Sequence, residues 1–409
     1  MMREARFLPM SVLPNPDSDS DPSAPRGVLH PPAGGALHPP ADGALHPPAD
    51  GALHPKFTGR SGFQAELRRR VDAYFTETGK PRRDCPQLYI KTAILLTSFV
   101  GLYILLVFFA QSWWHALPIA VLLGLATAGI GLNVQHDGGH GAFSSRPWVN
   151  RLMSRGLDLI GGSSYIWHHQ HNVLHHTYVN ITGHDNDIDL GAFGRVTPYQ
   201  KRLAIHRWQH YYIWLLYGFM AIRWQLFGDY LDVIYKKVGD HPIPRPRRWD
   251  LLIFLGGKML FLVIAFAIPM LFHTWWVVLI FYAVAAGIAG LTLSVVFQLA
   301  HTVEEAAFIE PTDENLVENA WAIHQVESTV DFARRSTLAA WLMGGLNYQI
   351  EHHLFPRISH INYPALSKIV EETCREFDVA YHEHRTFCAG IASHFRWLRT
   401  MGMPDAPTA

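Results

Sequence analysis

Four stretches of this chain are apolar on every face rather than along one stripe. Residues 92–111 are uncharged and rich in Leu, Ile, Val and Phe, and residues 116–134 follow after a link of only Ser112, Trp113, Trp114 and His115. A second pair repeats the plan: 251–272, then His273 and Thr274, then 275–300, which opens on Trp275 and Trp276. A helix that is hydrophobic all round belongs in a large core or a bilayer, and ~20 such residues span the hydrocarbon layer. The pattern predicts an all-α integral membrane protein with four transmembrane helices in two hairpins. Lys258 interrupts the third span two turns from its start, where its long stem is expected to snorkel to the interface. Residues 211–227 are shorter and carry Arg223, which predicts an interfacial or protein-buried helix instead.

The first 55 residues read differently. They hold 12 of the chain's 26 prolines and a single aromatic residue, Phe7, too little apolar surface to offset the entropy of ordering them. A disordered segment over 1–55 is expected, followed by one membrane domain over 56–409. Within that segment HPPAGGAL, HPPADGAL and HPPADGAL recur before His54-Pro55, placing His30, His38, His46 and His54 in register. A His-rich tract can bind metal, but with no scaffold to fix its geometry this one reads as a low-complexity tail. It has neither the basic start nor the apolar middle of a signal peptide.

Charge sets the expected orientation. Residues 56–91 carry nine Lys and Arg, and the segment between the hairpins adds Arg146, Arg151, Arg155, Lys201, Arg202, Lys236, Lys237, Arg245, Arg247 and Arg248, while the hairpin tips carry none. The positive-inside rule puts both termini and the long middle segment on the cytoplasmic side, with the paired tryptophans in the opposite aromatic belt.

Composition narrows the function. Charged residues are 17% of the chain, against about 25% in soluble proteins, which supports the bilayer as solvent. Thirty-four basic residues balance 34 acidic ones, so no basic field advertises nucleic-acid binding. Cys85, Cys374 and Cys388 are too few and too scattered for a disulfide framework, a redox pair or an iron–sulfur site. The anomaly is His, 25 of 409 residues.

Those histidines cluster. Just past the second span comes His136-Asp-Gly-Gly-His140, whose spacing puts both rings on one helix face. Alone it is weak, since about one or two such pairs arise by chance at this His frequency. The run Trp167-His168-His169-Gln170-His171-Asn-Val-Leu-His175-His176 contains HxxxHH, expected about 0.1 times by chance. Gln349-Ile-Glu351-His352-His353 is the third cluster, and His301 lies just beyond the fourth span. Topology brings all of them to one membrane face. Eight imidazoles exceed what one tetrahedral zinc uses, whereas imidazole also suits iron, and two irons with about four nitrogens each would use the set.

HDGGH, HNVLHH and QIEHHLFP, in that order around two hairpins, resemble the three histidine boxes of the integral-membrane fatty acid desaturases. The Gln-headed third box is similar to the branch containing linoleoyl-CoA and front-end desaturases, and the likeness runs over roughly 89–383, including WAIHQVESTVDFA from Trp321 and DNDIDL from Asp185. HPPAGG resembles the HPGG signature of the cytochrome domain fused to some lipid enzymes, but no compact domain surrounds it. The resemblance implies four spans, a cytosolic helical cap and a di-iron centre using dioxygen as co-substrate, with His136, His140, His171, His175, His176, His301, His352 and His353 as metal ligands. Gln349 stands where other branches place a His, so either it touches metal weakly or another group fills that position. His168, His169, His184 and His324 are spare candidates. No side chain is expected to act as an acid or base beyond the ligands. Removing hydrogen from unactivated methylenes needs an oxidant that a metal makes from dioxygen and two electrons.

Asp137, Asp187, Asp189 and Glu351 are the carboxylates expected to orient the rings. An acyl chain is apolar along its length, so position on it can be measured only by an apolar tunnel, for which Tyr165, Trp167, Met343 and Gly344 are the candidates. With no haem domain, ferredoxin-like cysteine set or GxGxxG evident, electrons are expected from a separate ferredoxin or b-type cytochrome with its reductase, docked on the basic surface. A related di-iron hydroxylase, or a sphingolipid- or carotenoid-modifying enzyme, would use the same boxes. A non-catalytic zinc-binding membrane protein would leave half the histidines unexplained.

Overall fold

The computed structural model describes residues 54–404. The expectation of a disordered tail therefore lies outside the described residues, apart from its last two. Of those, Pro55 is buried and the His54 ring stacks on Tyr178, so the folded body begins before residue 56.

The fold is helical. Helix α1 (Phe63–Thr78) buries Phe63, Leu67, Val71 and Phe75 at a spacing of four, the stripe expected of a helix lying on a core. Among the described residues, four helices are long and apolar enough to cross a membrane: α2 (Pro86–Phe109), α3 (Trp113–Gly139), α6 (Trp249–Met270) and α7 (Trp275–His301). Pro86 opens α2, where its missing N–H costs nothing. Between α3 and α6 lie a broken helix α4 over 164–178 and the helix α5 (Gln209–Arg223). Short helices α8 (Trp321–Glu327), α9 (Gln349–Leu354), α10 (Tyr363–Glu376) and α11 (Phe387–Gly402) follow α7. Strands are two-residue pairings: β1 (Lys56–Phe57) parallel to β4 (Leu316–Val317), β2 (Lys237–Val238) antiparallel to β3 (His241–Pro242), and β5 (Asp331–Phe332) parallel to β6 (Glu383–His384).

Helix α3 is the most enclosed of the four. A Cβ on its Gly124 would lie 2.5 Å from the Ala285 carbonyl of α7, so a glycine lets these two backbones touch. The segment expected to be interfacial or protein-buried is α5. It packs on α7, where Ser294 Oγ donates to the Tyr217 carbonyl, and exposes Tyr211, Leu215 and Phe219 on its other face.

Lys258 corrects the expectation drawn for it. It does not snorkel: its ammonium is buried and donates to Asp229 Oδ2 (2.7 Å), the Gly161 carbonyl (2.7 Å) and the Trp224 carbonyl (2.8 Å). A fully partnered charge inside the fold is preferable to a stretched stem when a carboxylate and two free carbonyls lie within reach.

The core beneath α1 holds the third histidine cluster in place. Phe63 and Leu67 pack with Trp321, Ala322 and Val326 of α8, Ile350 of α9, and Val370 and Cys374 of α10.

Candidate metal centre

The chain delivers its histidines from four directions. His136 begins the last turn of α3, whose ladder has just widened to i→i+5 spacing over Ile130–Gln135. His301 is the final residue of α7. In α4 the run His168–His175 is itself a wide i→i+5 turn, a departure from regular helix common at functional sites. His352 and His353 sit on α9.

These elements form two adjoining groups. His136, His140, His171 and His352 each offer a ring nitrogen, and these nitrogens lie within 4.8 Å of one another. His175, His301 and His353 form a second group by the same measure. His176 lies between them, its ring 4.5 Å from His140, 4.6 Å from His352 and 4.4 Å from His353 by centroids. All eight are buried.

The hydrogen-bond inventory shows what the cluster lacks. Nε2 of His140, His171, His175, His352 and His353, Nδ1 of His301 and both nitrogens of His176 are buried without any partner. Each such atom costs about 1–3 kcal/mol if nothing meets it, and a native fold carries only a few per hundred residues. Eight such atoms on seven rings in one cluster fit metal coordination. The opposite nitrogens are held instead. His175 Nδ1 lies 3.0 Å from Asp185 Oδ2, His353 Nδ1 is 2.8 Å from Gln325 Oε1, and His352 Nδ1 is 3.2 Å from the Tyr363 hydroxyl. This is the arrangement that fixes ring orientation and tautomer at metal sites.

Protonation agrees. Burial, then the neighbouring imidazoles, holds His140, His176, His352 and His353 well below the ordinary histidine range, and burial lowers His171. A metal needs the neutral ring. His175 goes the other way: burial pushes it down, but the charges of Asp185 and Asp187 and the bond to Asp185 outweigh this and raise it.

The remaining candidates divide. Asp187 approaches His171 Nδ1 at 3.9 Å, too long for a hydrogen bond, and accepts from Gln170. Asp189 does not reach the rings; it is exposed and caps the Gly191 amide. Asp137 lies 3.0 Å from Nδ1 of His360, a ring outside both groups. Glu351 faces Asp331 and Tyr381 rather than an imidazole; burial, then Asp331, pushes it well above the carboxylate range, and burial lifts Asp331 to about 6. Gln349 makes an amide–imidazole contact of 2.9 Å with His301 Nε2. His324 has both nitrogens occupied, by the Val179 carbonyl and Ser328 Oγ, and His169 packs on Tyr165 away from both groups.

Of the four tunnel candidates, Trp167 stacks on His171 and meets His136 and His140 edge-on. Tyr165 donates its hydroxyl to the Pro244 carbonyl, and Met343 packs beside Leu132 and Leu346. Gly344 is a close-approach glycine: its φ is +66°, and a Cβ there would lie 2.1 Å from the Leu132 carbonyl. An apolar cavity of about 410 Å³ lies elsewhere, among the four spans, walled by Phe99, Tyr103, Phe261, Ile264 and Tyr282.

Sequence reasoning missed Asp185, Gln325 and Tyr363, the three groups on the outer nitrogens, and Asn180. The side chain of Asn180, whose backbone is left-handed (φ 55°), donates to the carbonyls of His301 and Ser328, pinning α4 to the end of α7. The acidic run was a signal, but choosing among its three carboxylates needs the turn at 185–188, where Asp185 caps the Asp187 amide.

Four membrane-length helices, two of which end at a buried histidine cluster, mark an integral membrane protein whose histidines suit a metal site. A family model described as fatty acid desaturase matches residues 111–385, and the chain belongs to that family, making it a fatty acyl desaturase and an oxidoreductase. It is 40% identical to a protein of Synechocystis sp. named sn-1 linoleoyl-lipid 6-desaturase, over 85% of this chain and 97% of the relative. A protein of the same name from Arthrospira platensis is also 40% identical, over 84% of this chain and 93% of its own. An acyl-lipid (8-3)-desaturase of Physcomitrium patens is 34% identical over 84% and 72% respectively.

Proposed function

We propose that this protein inserts a double bond into an already unsaturated acyl chain carried on a membrane lipid, at a two-iron centre, using dioxygen and electrons from a separate carrier. The observation that carries the reading is the set of seven buried histidines with partnerless nitrogens, more than a four-ligand zinc can use. Relatives named as acyl-lipid desaturases, the first for linoleoyl-lipid, support the substrate class.

His136, His140, His171 and His352 would hold one iron, and His175, His301 and His353 the other, with His176 between. Bound iron supplies the oxidising power that side chains lack for attack on unactivated methylenes. The chain's own residues do the positioning. Asp185, Gln325 and Tyr363 fix His175, His353 and His352, and burial keeps the rings neutral and water out. Trp167, in ring contact with His136, His140 and His171, would wall the first group. Asp187 balances charge at His171 and His175, and Gln349 orients His301.

The histidine clusters and both termini face the cytoplasm in this reading, where the exposed Arg146, Arg151, Lys201, Lys236 and Lys237 offer a docking surface to an acidic ferredoxin or b-type cytochrome. The desaturase unit occupies the chain from about residue 54 onward.

The test is a fatty acid profile of a host expressing the chain beside a His352→Ala control, fed linoleic acid and given an electron donor. A new, more unsaturated acid absent from the control is expected, and mass spectrometry locates its double bond. A hydroxylated product would move the reaction to hydroxylation; no product from iron-loaded protein with a competent donor would overturn the reading.

A further inference from the structure

A second set of imidazoles gathers outside the centre just described. His54, the last histidine of the octad repeat, precedes β1; His184 lies in the turn after α4; His241 opens β3. Three separate elements thus bring one ring each to a single point. Their ligating nitrogens lie within 4.8 Å of one another, with ring centroids 5.5 Å apart for His54 and His241, 5.4 Å for His184 and His241 and 6.4 Å for His54 and His184.

Each ring is held in place by something other than chance packing. The His184 turn is closed by backbone bonds from His184 and Asp185 to the Ile181 carbonyl (3.1 and 2.9 Å). His241 is fixed by the β2–β3 pairing opposite Val238, and His54 by the stack on buried Tyr178 and by β1 two residues later. His184 Nδ1 is buried without a hydrogen-bond partner. His184 and His241 also line a cavity of about 230 Å³ whose other walls include Thr182, Asp189 and Gln200, so a fourth position beside the rings is open to a small ligand.

We propose that His54, His184 and His241 bind one divalent transition-metal ion of the zinc type, separate from the histidine-box centre and with its fourth coordination position open to that cavity. Three imidazoles plus an exchangeable ligand is a set that zinc accepts in tetrahedral geometry. Borderline divalent ions favour imidazole, and the Asp189 and Asp240 carboxylates in the cavity wall add negative charge beside the rings. Burial, with His241 and His54 facing it, holds His184 at about 4, so the ring is neutral and available at physiological pH. The ion would clip the end of the repeat segment to the turn after α4.

The site is tested on the full-length protein with its box centre loaded with iron, titrated with zinc against a chromophoric chelator, beside His54→Gln and His241→Gln. Neither substituted residue belongs to the box centre, so iron content and desaturase activity report folding in all three proteins, whatever acyl product is formed. One zinc per chain is expected in the wild type with iron retained, and each variant should bind it at least about 100-fold more weakly, beyond the effect of losing an outer hydrogen-bond partner. Zinc-edge X-ray absorption should show three imidazole nitrogens at about 2.0 Å. An iron-loaded wild type that takes up no zinc overturns the proposal, as does zinc binding unchanged in both variants or a bound zinc lacking imidazole scattering.

Discussion

Replacing Asp185 by Asn should loosen the metal centre without touching a ligand. The carboxylate is buried and meets three donors: His175 Nδ1 at 3.0 and 3.2 Å, the Asn180 amide at 2.9 Å and the Asp187 amide at 3.0 Å. The two amides bond opposite oxygens, so whichever way an asparagine turns, its NH₂ faces a backbone N–H. One buried donor is stranded, at a cost of about 1–3 kcal/mol in stability. His175 also loses the negative charge that raises it, and its ring loses an oriented acceptor. Changes at such outer partners cost 10–100-fold in metal affinity, or about 1.4–2.8 kcal/mol. Iron per chain, measured by mass spectrometry after equilibration with a competing chelator, reads the effect. Asp189→Asn, four residues along and exposed, is the control and should change nothing. Wild-type iron affinity in folded Asp185→Asn, or an equal loss in the control, refutes the reasoning.

Other consequences follow from the same geometry. His353→Ala removes one of three rings from its group, so bound metal should fall from about two ions to one per chain, whereas His324→Ala should lower the melting temperature while keeping metal content; matching metal losses would sink the distinction. Lys258→Met leaves Asp229 buried and unpaired and should cost about 3–5 kcal/mol, partly restored by adding Asp229→Asn, as thermal unfolding in detergent would show. Gly344→Ala should destabilise by at least about 2 kcal/mol through backbone clash and strain; a folded variant with a displaced double bond would instead make Gly344 a tunnel residue. For pH, His140, His176, His352 and His353 have folded values below the ordinary 6.5, so the unfolded chain binds more protons and the metal-free protein should lose stability as pH falls from 7 toward 5. His175, raised, opposes this with a contribution present below 6.5 and lost as pH rises through its folded value, and the raised Asp331 and Glu351 oppose it too, but with His171 also lowered the depressed rings outnumber them. A flat melting profile over that window would contradict the assignment.

The spans and the histidine boxes were legible because each rests on a local pattern. Twenty apolar residues match the thickness of a bilayer's hydrocarbon layer, and the end of a span sets the depth of the residue that follows it, so His136 and His301 could be paired without any fold. Ring nitrogens need metal wherever enough of them converge, and spacing within each box already put neighbours on one face. What lay beyond the sequence was every contact between elements far apart in the chain. Lys258 looked like an interfacial lysine because Asp229 is 29 residues away, and nothing local reveals the Leu132 carbonyl pressed against Gly344. Asp185 could not be told from Asp187 and Asp189 until the turn pointed one carboxylate at His175. His54 sat in a repeat with the look of a tail, and only the packing of Tyr178, His184 and His241 brings its ring into the body of the protein. Local chemistry specifies which residues can bind a metal; the close approach of distant backbones decides which of them do so together.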